Sequence, residues 1–291
     1  MSCRPLRRTA VLFAAGLLLL GAVACGRNGS ASGKVDVVTA FYPLRFIAER
    51  IGGDAVAVTN LAKPGAEPHD MELEPRQLAQ IADAALVVYL KGFQPAVDEA
   101  VAQEAKDSAF DAASVEPLAG GDVHIWLDPS RLATVGDKLA DRLAAVDPGH
   151  AADYRTRAAA VRKDLENLDR EYADGLRTCQ RREIVTSHAA FGYLAARYQL
   201  RQIPITGLSP EEEPLPQRLA EVAAEARKYG ATTIFFETLV SPKVAEAVAR
   251  EVGATTAVLD PVEGLEPGST EDYVAVMRAN LATLQKALGC T

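Results

Sequence analysis

The chain has 291 residues, is 48% hydrophobic and 24% charged, and carries a formal net charge of −8. That balance describes a globular protein with ample core, built as one large domain or two ordinary ones. The acid excess argues against nucleic acid as a partner.

The first element is a leader. Arg4, Arg7 and Arg8 precede the apolar run TAVLFAAGLLLLGAVA, which falls short of the ~20 residues a membrane-spanning helix needs. Small residues then lead into Cys25, an arrangement that resembles the bacterial lipobox, with Ala22 where Leu is usual. It implies a signal peptide over 1–24, lipidation of Cys25 and an extracytoplasmic, membrane-anchored chain at the periplasm or cell surface. Residues 25–34, rich in Gly and Ser, read as a flexible tether. Loss of the three leader arginines takes the net charge from −8 to −11.

Short β-branched runs then alternate with helical patterns. Strands are expected at KVDVVTA, AVAVTN, ALVVYL, EIVTS, RQIPIT, TTIFF and TTAVLD. Helices are expected between them, several opening with Pro or Ser and closing with Gly. Such alternation predicts βαβ units and mostly parallel sheets. It breaks between Asp147 and Thr178, where Tyr154, Ala158, Val161, Leu165, Leu168, Tyr172 and Leu176 recur at intervals of four and three. One long helix with a single apolar face follows. It is either a surface helix or a strut joining two α/β lobes.

Cys3 leaves with the leader and Cys25 serves the anchor, so Cys179 and Cys290 remain. In an exported chain an even pair reads as a disulfide, against the alternative of two buried thiols.

Four histidines are present. His150 follows DPG at the start of the long helix and reads as a solvated turn residue. His69 lies in the loop KPGAEPHDMELEP after a strand, His124 in GGDVHIWLDPS before a helix, and His188 directly after EIVTS. Ligands of open α/β sheets bind beyond the carboxyl ends of strands. Asp260, ending TTAVLD, falls in the same kind of position. Two candidates precede the long helix and two follow it, so a shared site would lie between lobes. Three imidazoles and a carboxylate suit Zn(II). No compact H-E-x-x-H or C-x-x-C motif is present, and spacing alone leaves a metal site open.

The segments FYPLRFIAERIGGDAVAVTNLAKPGAEPHDMELEPRQLAQIADAALVVYLKGF, HIWLDP, VTSHAAFGYLAARYQL, GLSPEEEPLP and TIFFETLVSPKVAEAVAREVG resemble the zinc/manganese solute-binding proteins of bacterial ABC importers, cluster A-I. The similarity runs from about Val35 to Leu288. It implies two α/β lobes with mostly parallel sheets, at 35–146 and 179–291, bridged by one long α-helix over 147–178. It also implies metal ligands His69, His124, His188 and Asp260, with Glu237 the nearest competing acid and assigned a supporting role. Histidine at position 188 implies the zinc type, with Mn(II) a weaker ligand. The stretch Gln94–Asp122 has no histidine, unlike the His-rich loop of many zinc members, which puts loop-mediated transfer from a metallochaperone in doubt.

The function so implied is capture of Zn(II) and delivery to a cognate permease by a monomer that is not an enzyme. The rival is a zinc hydrolase, with Asp70 or Glu237 as general base; no nucleophile or oxyanion motif accompanies them. Manganese import and adhesion are further readings compatible with the fold.

Overall fold

The computed structural model describes Met1 and residues 33–291. The leader, Cys25 and the tether up to residue 32 lie outside the described residues.

The first half forms a parallel sheet from β1 (Val35–Thr39), β2 (Val56–Asn60), β3 (Leu86–Tyr89) and β4 (Ala109–Asp111), in the order β2-β1-β3-β4. Val37 stands opposite Val58 on one side and Leu86 on the other. The second half repeats this order. Strands β5 (Glu183–Thr186), β6 (Arg201–Pro204), β7 (Thr233–Phe236) and β8 (Thr255–Val258) run parallel as β6-β5-β7-β8. In each sheet the chain leaves its first strand toward one edge and returns on the other side. The crevice where strand order reverses opens at the carboxyl ends of β1 and β3, and of β5 and β7.

Helices α1 (Tyr42–Gly52), α2 (Pro75–Asp83), α3 (Pro95–Glu104) and α4 (Pro129–Val146) belong to the first half. Helices α6 (Gly192–Arg197), α7 (Pro216–Lys228), α8 (Lys243–Val252) and α9 (Tyr273–Leu288) belong to the second. Their ends follow the local chemistry of helix termini. Asp128 and Asp272 accept backbone N–H groups at the starts of α4 and α9, while Glu74 and Gln77 form a reciprocal capping box on α2. Gly253 and Gly289 close α8 and α9 in the left-handed conformation.

Helix α5 (Ala151–Gly175) is the long element, 25 residues and roughly 38 Å from end to end. Its buried face is Tyr154, Ala158, Val161, Leu165, Leu168 and Tyr172. Near its start Arg157 donates to the carbonyls of Ile51 and Gly52, satisfying the end of α1. Near its finish Tyr172 donates to the carbonyl of Met277 in α9. Helix α5 therefore packs on both halves and acts as the bridge. One continuous core runs through the first sheet, α4, α5 and α9. The outer layer of the second sheet has its own smaller core, with Val185, Ile203, Val222, Ile234 and Val248.

Cys179 and Cys290 form a disulfide across 111 residues of sequence. It joins the segment entering β5 to the second residue after α9. Strand β4 has no counterpart among the expected strands; it is three residues long and buries only Phe110.

Candidate metal centre

The carboxyl ends of the strands place the site. His188 follows β5 by two residues, and Glu237 follows β7 directly. These strands are hydrogen-bonded neighbours, so the two side chains meet across the crevice, Glu237 Oε1 lying 2.8 Å from His188 Nδ1. The main chain of His188 is fixed as well. Its carbonyl accepts from Thr186 Oγ1 at 2.7 Å and from Gln202 Nε2 at 2.9 Å. Ser187 Oγ also donates to Glu237.

His124 is set by its own neighbour in sequence. Asp122 Oδ1 accepts the His124 backbone N–H at 2.9 Å and lies 2.8 Å from ring Nδ1. His69 comes from the loop after β2. Both carboxylate oxygens of Glu67 accept its backbone N–H, at 2.9 and 3.0 Å. That loop also touches the other half: Gly65 donates to the Leu265 carbonyl at 2.8 Å. At φ 82° Gly65 is in the left-handed region, and a Cβ there would stand 2.8 Å from Pro267. Glycine is therefore needed for both conformation and approach.

These placements bring His69, His124, His188 and Glu263 together, with one ligating atom from each lying within 4.8 Å of the others. Glu263 Oε1 is 3.3 Å from His69 Nε2, 3.1 Å from His124 Nε2 and 3.4 Å from His188 Nε2. The Nε2 atoms of His124 and His188 face each other at 3.3 Å. His124 and His188 are fully buried, Glu263 is 2% exposed and His69 is 8% exposed, the most open of the four. Phe93 packs edge-on against His69 at 4.6 Å, and Phe93, Phe41 and Trp126 form an aromatic wall beside the imidazoles.

Of the four expected ligands the structure brings the three histidines together, and the carboxylate that meets them is Glu263. Asp260 is outside the group. Its Oδ1 accepts the Val262 N–H at 2.7 Å and its Oδ2 accepts from Thr238 Oγ1 at 2.8 Å. Strand β8 ends at Val258, and the loop beyond it carries Glu263, not Asp260, to the histidines. Glu237 meets His188 at Nδ1, not at the Nε2 that faces Glu263. His150 is a surface residue, half-exposed, with Nδ1 2.6 Å from Asp147. The sequence signal for Asp122 is its position two residues before His124.

The electrostatics follow from burial and contact. Burial pushes His188 down, but its bonds to Glu237 and Glu263 outweigh that and lift it to about 10. His124 is likewise held above the ordinary histidine range, burial being outweighed by Asp122 and Glu263. Burial pushes Glu263 up, yet the three imidazoles hold it well below the usual carboxylate range. Burial lifts Asp260 to about 6, against the opposing bonds from Val262 and Thr238.

With Nδ1 of His124 and His188 turned to carboxylates, the Nε2 atoms are left pointing at one another and at Glu263. Only a positive occupant relieves that crowding: protons, or a cation. Ligands about 2.0–2.1 Å from a tetrahedral ion stand roughly 3.3 Å apart. Four of the six donor–donor pairs, at 3.1 to 3.4 Å, match that spacing, and all six lie within 4.8 Å. The donors present therefore fit a four-coordinate metal with three nitrogens and one oxygen.

Two parallel α/β sheets on one bridging helix, with a buried His₃–carboxylate centre between them, define a metal-site protein of the two-lobed solute-binding class. The model of the family described as "Zinc-uptake complex component A periplasmic" (ZnuA) matches residues 37–287, and the chain belongs to that family. It is 33% identical over 300 residues to the zinc-binding lipoprotein AdcA of Streptococcus pneumoniae, covering 94% of this chain but only 60% of that protein. It is 32% identical over 308 residues to the high-affinity zinc uptake system protein ZnuA of Bacillus subtilis, covering 95% of this chain and 97% of that one. Among solved structures it resembles the Zn(II)-bound ZnuA-like domain of S. pneumoniae AdcA. The TM-score is 0.77 at 34% identity, over 88% of this chain and 99% of that one.

Proposed function

We propose that this protein captures Zn(II) outside the cytoplasmic membrane and hands it to an ABC permease, with His69, His124, His188 and Glu263 as the ligands. The observation that carries this reading is the convergence of three Nε2 atoms on one Glu263 oxygen at 3.1 to 3.4 Å. Three neutral imidazoles and one carboxylate replace the hydration shell of the ion and offset part of its charge. Zinc is favoured over manganese because imidazole suits it. The zinc-binding names of relatives that match nearly the full chain support the same choice.

A hydrolytic role fits less well. A catalytic zinc keeps an open position for water, whereas four buried protein donors close this one. The chain acts as a monomer of two lobes, tethered through lipidated Cys25.

The test is zinc competition against a chromophoric chelator, run beside hydrolysis of model esters and peptides. Tight uptake of one zinc per chain with no turnover is expected. Binding lost equally in His150→Ala and in His69→Ala, or zinc-dependent hydrolysis, would remove the proposal.

A further inference from the structure

The backbone next to Glu263 is in an unfavourable conformation. Val262 is fully buried and has φ 59°. A β-branched residue in the left-handed region is a steric outlier that persists only where its surroundings hold it. The surroundings here are specific. Asp260 Oδ1 accepts the Val262 N–H at 2.7 Å, and the carbonyl of Pro261 accepts from Trp126 Nε1 at 2.7 Å. Asp260 is itself anchored. Thr238 donates to its Oδ2 at 2.8 Å, and the Asn280 side chain bonds both its N–H and its carbonyl, at 2.9 and 2.6 Å. Asp260 thus uses one carboxylate oxygen within its own loop and the other on Thr238, just beyond β7.

We infer that Asp260 is a positioning residue: with Trp126 and Asn280 it clamps Val262 in the left-handed conformation, and that turn aims Glu263 at the three histidines. The inference rests on the zinc-site reading above. A residue of negative φ at 262 would send the chain, and the Glu263 side chain with it, in another direction. Trp126 lies two residues from His124, and Pro261 two residues before Glu263. Their hydrogen bond therefore ties a ligand of one lobe to the ligand-bearing loop of the other.

The clamp is tested by zinc affinity and by the visible spectrum of the Co(II)-substituted protein, in wild type, Asp260→Asn, Asp260→Ala, Asp260→Ala/Val262→Gly and Glu263→Ala. Asn keeps an oxygen for the Val262 N–H, so Asp260→Asn should stay within about threefold of wild type with an unchanged cobalt spectrum. Asp260→Ala should weaken zinc about 10- to 100-fold, the range for partners that orient ligands. Glycine adopts the left-handed conformation freely, so adding Val262→Gly should restore most of that loss. An Asp260→Asn variant as weak as Glu263→Ala, with an altered spectrum, would make Asp260 a ligand and overturn the clamp. So would wild-type affinity in Asp260→Ala, or no recovery in the double variant. Failure of wild type to bind zinc would instead sink the site reading. Exchange of the Val262 amide in metal-free protein then decides the clamp: slow in wild type and Asp260→Asn but fast in Asp260→Ala supports it, and equal rates overturn it.

Discussion

Removing the disulfide by Cys179→Ser/Cys290→Ser should lower stability through the unfolded state. The bridge closes 111 residues of chain. In the chain-entropy treatment a loop of that length restricts the unfolded ensemble by about 5 kcal/mol at 25 °C. The folded state loses little else. The hydrogen bonds Arg181 N–H to Leu288 carbonyl, at 3.1 Å, and Thr291 N–H to Thr178 carbonyl, at 3.2 Å, still hold the two ends together. A chain of this size unfolds with an entropy of about 0.5 kcal/mol per degree, so the melting temperature should fall by roughly 8–10 °C. The assay is thermal unfolding of metal-free protein followed by circular dichroism. Zinc affinity should not change, because the bridge lies before β5 and His188 lies after it. A fall below about 2 °C would refute the loop-closure reasoning, and a large loss of zinc affinity would refute the separation of bridge from site.

Further outcomes follow from the charges and donors of the site. His188 is lifted from about 6.5 in the unfolded chain to about 10 in the folded, metal-free protein. Its contribution to stability is therefore full below pH ~6.5 and is lost as pH rises toward about 10. Metal-free wild type should lose stability over that interval relative to His188→Ala, while the stabilisation given by zinc grows; parallel pH profiles would contradict this. Because zinc displaces that proton, calorimetry at pH ~7.5 in buffers of different ionisation enthalpy should show proton release that drops by about one in His188→Ala. Replacing His188 with Glu gives two imidazoles and two carboxylates, a harder set that should shift the Zn/Mn affinity ratio toward manganese. An unchanged ratio would place His188 outside the coordination shell.

Much of this architecture is written in local patterns. The four-three spacing from Tyr154 to Tyr172 marks α5 because every member of that set is buried on one face. His188 is legible because a β-branched run ends two residues before it, and His69 because a loop rich in Pro and Gly surrounds it. Strand β4 is not legible: Ala109–Asp111 is too short to show alternation, and the pairing of Val87 with Ala109 defines it. Glu263 is hidden for a different reason. The acid that ends the β8 run is Asp260, and its place in the sequence makes it the natural candidate. Only the reversal at Val262 turns the next carboxylate inward, and a buried valine gives no advance sign of positive φ. Asp122 and Glu237 show the two ways a supporting acid arises. One is two residues from its histidine, and the other is 49 residues away and meets it through strand pairing.

The coordination shell is the central claim, and X-ray absorption at the zinc edge reads it most directly. Protein loaded with one equivalent of zinc should show four light-atom neighbours at about 2.0–2.1 Å, with multiple-scattering features of three imidazoles. Glu263→Ala should replace one oxygen scatterer with solvent while keeping all three imidazoles. A shell of six oxygens, or a spectrum with fewer than three imidazoles in wild type, would contradict the account.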